Sequence, residues 1–211
     1  MKRINYIILL CIAASLLFWF WRPSFMLQHL AFSGENIRNG KIWTLVTGLF
    51  IHGSLLHLFG NMMFLYVFGN TLENELDSNK TVSAFFLGGV LSFLLSTFFY
   101  APEIPLIGAS AAIFTLAAVA MLVKPLKFSF FFLMPIGLVA IIYFIYNIAA
   151  VYYGYQGNIA YVSHVIGFTI GIPLGIVWSR KWIKNLLITL TMLFIYLLIV
   201  LLLFPAFLHL L

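Results

Sequence analysis

Seven runs of about 20 mostly apolar residues fill this 211-residue chain, each long enough to cross the hydrocarbon core of a bilayer as a helix. With 64% hydrophobic and only 8% charged residues, no ordinary soluble core can be drawn from it. The sequence therefore predicts an all-α polytopic membrane protein. It holds no internal repeat or low-complexity linker, so one compact bundle is expected.

The few charges and prolines mark the breaks between runs. Spans are expected at about Tyr6 to Trp21, Leu55 to Leu72, Thr81 to Tyr100, Ala109 to Val123, Phe128 to Tyr153, Ile159 to Trp178, and Leu186 to Phe204 or beyond. The opening MKRINYIILLCIAAS also has the form of a cleaved signal peptide. An anchor is the better reading, because the apolar run continues through LLFWFW to interfacial aromatics and Arg22. The connection from Arg22 to Ser54 is too polar to span and too apolar to be a free linker. Its segments FMLQHLAF and IWTLVTGLF predict short interfacial helices lying against the bundle.

A net charge of +6 raises nucleic acid as a partner, but the basic residues sit at span ends and leave no basic face for a polyanion. Eight Lys and Arg fall on the N-terminus and loops 2, 4 and 6; three, Arg22, Arg38 and Lys41, fall on the other side. That bias predicts a cytoplasmic N-terminus and an external C-terminus. The single Cys11 lies inside the first span, so no intrachain disulfide is expected.

On this topology spans 2, 4 and 6 all begin at the external side, and the rare polar residues gather at those three ends. Span 2 begins near His57 and Asn61, span 4 with Ser110, and span 6 with His164. At about 1.5 Å per residue all lie within one or two turns of the outer end. His57 and Asn61 are spaced i, i+4 and share a face, whereas His52 is expected in the preceding loop. After His164, Gly167, Gly171 and Gly175 form a small-residue stripe for which the Ala-rich span 4 is a suitable partner. Such an approach would bring Ser110 and His164 within hydrogen-bonding reach.

A serine beside a histidine is the minimum constellation for an activated nucleophile, the imidazole taking the hydroxyl proton and returning it to the leaving amine. The usual acidic third member is missing: Glu35, Glu73, Glu75, Asp77 and Glu103 are the only acids, and none lies in span 6 or adjoins His164. The expected site is therefore a dyad, with the histidine oriented by packing. His57, Asn61 and the Ser110 N–H are available donors for an oxyanion.

Taken singly, each residue has a plainer reading. A serine in an Ala-rich helix packs, intramembrane Asn and His bridge helices, and a glycine stripe lets helices close up. His29 and His209 lie at interfaces and are assigned nothing. Coincidence of side, depth and chemistry across three spans favours catalysis. The H-E-x-x-H of zinc peptidases is absent, Asp77 is the only aspartate, and no charge sits inside a span to serve as an ion relay. Haem ligation by His57 and His164 would leave Ser110 and Asn61 unexplained. No metal or cofactor is expected.

These motifs resemble those of the rhomboid family of intramembrane serine proteases over about Lys41 to Trp178. H-x-x-x-x-H-x-x-x-N appears as His52, His57 and Asn61; G-x-S-G as Gly108, Ala109, Ser110 and Ala111; A-H-x-x-G-x-x-x-G as Ser163, His164, Gly167 and Gly171. Trp43 in IWTLVTGLFIH and Glu73 in FGNTLENEL also stand where the family has a tryptophan and a structural acid. The resemblance implies a six-helix bundle, about 1–178, plus a seventh helix, about 185–211, in one domain. It implies Ser110 as nucleophile, His164 as general base and acid, and His57, Asn61 and the Ser110 N–H as oxyanion donors. Phe114 matches an aromatic that packs on the catalytic imidazole, and His52 is expected to support the loop. It further implies transmembrane protein substrates and a site opening to the external side of the cell membrane. Ala111 and Ser163 depart from the motifs, both as small residues that call for adjusted packing. A noncatalytic rhomboid-like protein that binds transmembrane helices is the alternative.

Overall fold

A computed structural model of the protein describes residues 2–21, 23–155 and 160–208, the last five as backbone alone. Arg22, His209 and the expected start of span 6 at Ile159 lie outside the described residues. The chain is a helical, multi-pass membrane protein. In order come α1 (Arg3–Phe20), three short helices α2 (Pro23–Leu30), α3 (Gly34–Arg38) and α4 (Thr44–Thr47), then α5 (Leu55–Glu75), α6 (Ser78–Ser96) and α7 (Ser110–Val123). After a two-stranded antiparallel hairpin, β1 (Phe128–Ser129) with β2 (Met134–Pro135), follow α8 (Ile136–Tyr152), α9 (Tyr161–Trp178) and α10 (Trp182–Leu208).

Local chemistry sets several of these boundaries. Ser54 and Asp77 are N-caps, their side chains accepting from His57 N–H at 3.2 Å and Lys80 N–H at 2.8 Å, so α5 and α6 start where an orphan amide finds a partner. Capping by Asp77 starts α6 three residues before the expected Thr81, and the helix gives way to a turn at Thr97 instead of reaching Tyr100. The expected span from Phe128 divides: Pro135, which has no N–H to donate, ends the hairpin and immediately precedes α8. The expected loop helices are found as α2 and α4, with α3 an unexpected turn of helix between them, and α4 is tied to α2 by Trp43 Nε1 donating to His29 O at 2.9 Å and Thr47 Oγ1 to Leu30 O at 2.7 Å.

Among the described residues five helices, α1, α5, α6, α9 and α10, are long and apolar enough to cross a membrane by length and composition, whereas α7 and α8 are shorter. The 14-residue α7 is the central post: all but Ser110, Phe114 and Val123 are buried, and it packs against α5, α6, α8, α9 and α10. A short helix is tolerated there because protein, not lipid, surrounds it. Close approach to α9 follows from the glycine stripe. A Cβ at Gly167 or Gly171 would overlap the carbonyl oxygens of Ala111 or Thr115, and Thr115 Oγ1 donates to Gly167 O at 2.7 Å in the space left free. α10 is clasped at its start, where Asn185 Nδ2 donates to Leu122 O and Val123 O and so caps the last turn of α7. At the other end of the chain Glu73 accepts from the N–H groups of Arg3 and Ile4, holding the first turn of α1 to the end of α5.

Candidate active site

Ser110 is the first residue of α7, and the turn that delivers it depends on Gly108. That residue adopts φ +106°, a region open to glycine, and a Cβ there would meet the His57 ring at 2.8 Å. The Gly108 N–H is anchored to Gly48 O at 2.8 Å, tying the turn to the loop after α4. As first residue of the helix, Ser110 has an N–H with no carbonyl to reach inside α7, so it stands among the free donors at the positive end of the helix.

His164 lies in the first turn of α9, buried, and its Nε2 is 2.7 Å from Ser110 Oγ. Phe114, one turn beyond Ser110, stacks on the imidazole with ring centroids 4.7 Å apart and planes 12° from parallel. The expectation that packing alone orients His164 is incomplete. Its Nδ1 is 2.8 Å from Oδ1 of Asn147, a residue of α8 that is 2% exposed. An expectation confined to charged third members passes over Asn147. The usable signal was a lone amide in an otherwise apolar span, since intramembrane polar residues lean functional.

His57 packs edge-on against His52, centroids 5.0 Å apart, and lies over Gly108, two residues before Ser110. Asn61 is buried, and its Nδ2 donates to His57 O of its own helix at 2.9 Å. An amide nitrogen carries two hydrogens, so one remains for another acceptor. His57 and Asn61 thus sit on one face of α5 beside the Ser110 turn.

His52 is fully buried in the loop before α5. Ser15 Oγ on α1 is 3.3 Å from Phe50 O and 3.0 Å from His52 Nδ1. If the hydroxyl donates to the carbonyl it accepts from Nδ1–H, which leaves Nε2 to accept from Ala109 N–H at 3.4 Å. Trp19 Nε1 donates to the carbonyl of His52 at 2.8 Å. Burial first, and the neighbouring His57 second, push the His52 imidazole down to about 3, so it is neutral, as a ring that donates at one nitrogen and accepts at the other must be. His52 links α1 to the residue preceding Ser110.

The two motif departures have local partners. The Ser163 hydroxyl lies 2.7 Å from Ser96 Oγ on α6; Ser96 donates to Ser92 O, so Ser163 donates to Ser96. Ala111 is buried, its carbonyl facing Gly167.

Residues 39–181 match the family model of the Rhomboid domain. The chain is 26% identical over 169 residues to Rhomboid protease GlpG of Serratia proteamaculans, covering 77% of this chain and 58% of that protein. It is 30% identical over 102 residues to RHOMBOID-like protein 12, mitochondrial, of Arabidopsis thaliana, covering 46% and 30%, and 34% identical over 74 residues to Rhomboid-like protease 3 of Toxoplasma gondii, covering 35% and 28%. The matched part therefore spans less than two thirds of each of these relatives.

Proposed function

The chain belongs to the rhomboid family, and from that premise we propose that it is a serine endopeptidase that hydrolyses peptide bonds in or near transmembrane segments of other membrane proteins. The observation that carries the proposal is the 2.7 Å contact between Ser110 Oγ and His164 Nε2. His164 takes the hydroxyl proton as Oγ attacks the scissile carbonyl, then delivers it to the leaving amine as the C–N bond breaks. Water, deprotonated by the same imidazole, attacks the acyl-enzyme, and the imidazolium returns that proton to Ser110 Oγ as the ester bond breaks. The oxyanion of each tetrahedral intermediate is met by the Ser110 N–H, His57 and the second hydrogen of Asn61 Nδ2. Phe114 holds the ring plane of His164, and His52 braces the turn before the nucleophile.

The length of α7 sets the depth of the reaction. Fourteen residues rise about 21 Å, against a hydrocarbon core of about 30 Å. Its far end is followed by the exposed Lys124, paired with Glu75 at 3.2 Å, which suits the membrane boundary. Ser110 then lies about 9 Å beneath the opposite boundary. A substrate helix has to unwind there to present a carbonyl, which favours transmembrane segments carrying helix-weakening residues and a small side chain at the cut. Water has to reach the buried imidazole, and displacement of α8, which packs against α7 and α9, would open a path to it. The basic residues favour a cell-membrane protein with a cytoplasmic N-terminus and a site facing outward, the chain forming one domain of six core helices with α10 added. Transmembrane proteins and the bilayer are its partners, nucleic acid is not, and the chemistry calls for no cofactor.

A serine-directed fluorophosphonate tests the reading on the full chain in detergent. Labelling of wild type that disappears in Ser110→Ala is expected. Folded wild type that resists labelling under every condition would favour the noncatalytic helix binder instead. Asn61→Ala, which removes one of three oxyanion donors, should keep measurable cleavage while losing at most about 2 to 4 kcal/mol of transition-state stabilisation, read from kcat/KM on a fluorogenic transmembrane substrate.

A further inference from the structure

Asn147 is a buried amide on α8, and both ends of its side chain are committed. Nδ2 donates to Tyr143 O, one turn back on the same helix, at 2.7 Å, and Oδ1 faces His164 Nδ1 at 2.8 Å. The opposite orientation of the amide would set Oδ1 against the Tyr143 carbonyl oxygen, two acceptors with no hydrogen between them. The helix's own backbone therefore fixes Asn147 as an acceptor toward the imidazole. An acceptor at Nδ1 keeps the hydrogen on Nδ1 and leaves the lone pair on Nε2, where Ser110 Oγ–H points at 2.7 Å.

From this chain of contacts we infer that Asn147 is a positioning residue for the proposed peptidase. It selects the tautomer of His164 that can take the Ser110 proton, and it fixes the azimuth of the ring within the plane that Phe114 sets. Stacking alone cannot do the first, because a ring stacked on Phe114 packs equally well in either tautomer and can turn about its own normal. The Asn147 carbonyl also faces the Nδ1–H of the imidazolium that forms once the proton has moved, the function an aspartate serves in soluble triads. A neutral amide does so without burying a charge, which in a membrane-embedded site would be costly. The inference rests on the assignment of Ser110 and His164 and makes α8 a contributor to the site, not only a wall beside it.

The test compares Asn147→Leu, similar in size and without an acceptor, with Asn147→Asp, which keeps Oδ1. Ionised, the aspartate accepts at Oδ1; protonated, its O–H donates to Tyr143 O and Oδ1 still accepts. Each full-length variant is purified in detergent, and kcat and KM for the transmembrane substrate, thermal unfolding and the 15N NMR signature of the His164 tautomer are recorded. Asn147→Leu is expected to lower kcat by about 10- to 100-fold with little change in KM or in unfolding temperature, and to lose the pure Nδ1–H tautomer of wild type. Asn147→Asp should recover most of the lost kcat. Wild-type kcat and tautomer in Asn147→Leu would overturn the inference and leave Ser110 and His164 untouched. An equal loss in both variants accompanied by lowered unfolding temperature would reduce Asn147 to a structural residue. Cleavage that survives in Ser110→Ala would instead defeat the peptidase reading itself, and the inference with it.

Discussion

Cleavage of a transmembrane substrate is expected to fall by orders of magnitude in Ser110→Ala, to fall as far in His164→Ala, and to fall no further in the double variant. The single 2.7 Å contact is the reason. Without His164 the Ser110 hydroxyl has no base to take its proton, and without Ser110 the imidazole has no nucleophile to activate. Each substitution thus removes the same step. In soluble serine proteases such losses are on the order of 10⁶ in kcat and grossly non-additive. Initial rates on the fluorogenic substrate, followed over hours to reach the low end of that range, check the result. A double variant that multiplied the two single losses would mean that the residues act independently, and the proton-transfer role of His164 would have to be abandoned.

Much of this site is legible in the sequence, because polar residues in an apolar chain are rare enough to stand out. Ser110, His164, His57 and Asn61 each interrupt a hydrophobic run at the same end of a span, and the bundle carries them to one side. Two departures from the sequence expectation have physical causes. The stretch FSFFFLMP looks like the start of a spanning helix by hydropathy, yet Phe130 and Leu133 are exposed, and Leu133 takes φ +53° in the hairpin turn. Apolar content does not distinguish an apolar hairpin from a helix; Pro135 does, and it is the stronger signal. Asn147 escapes because it carries no charge, the property by which a third group beside a catalytic histidine is usually recognised. Which residue faces Nδ1 depends on the rotation of α8 about its axis, and a uniformly apolar helix holds little periodicity from which to read that rotation.

Helix packing gives the second large effect: Gly167→Ala is expected to destabilise the folded protein by several kcal/mol and to lower activity with it. The added methyl would overlap the Ala111 carbonyl oxygen and reach the hydroxyl of Ser92 at 3.2 Å. Backbone cannot rotate out of the way as a side chain can, so α7 and α9 must move apart. Separation strains the Thr115 to Gly167 hydrogen bond and draws His164, one turn earlier on α9, away from Ser110 on α7. Gly60→Ala is the control: nothing lies within 4 Å of a Cβ at that position, and alanine is the better helix former by about 0.5 to 1 kcal/mol. Thermal unfolding in detergent should therefore show Gly60→Ala at or above the wild-type midpoint and Gly167→Ala far below it. If Gly167→Ala unfolded with wild type and cleaved as well, the close approach of α7 and α9 would not be what holds the nucleophile to its base.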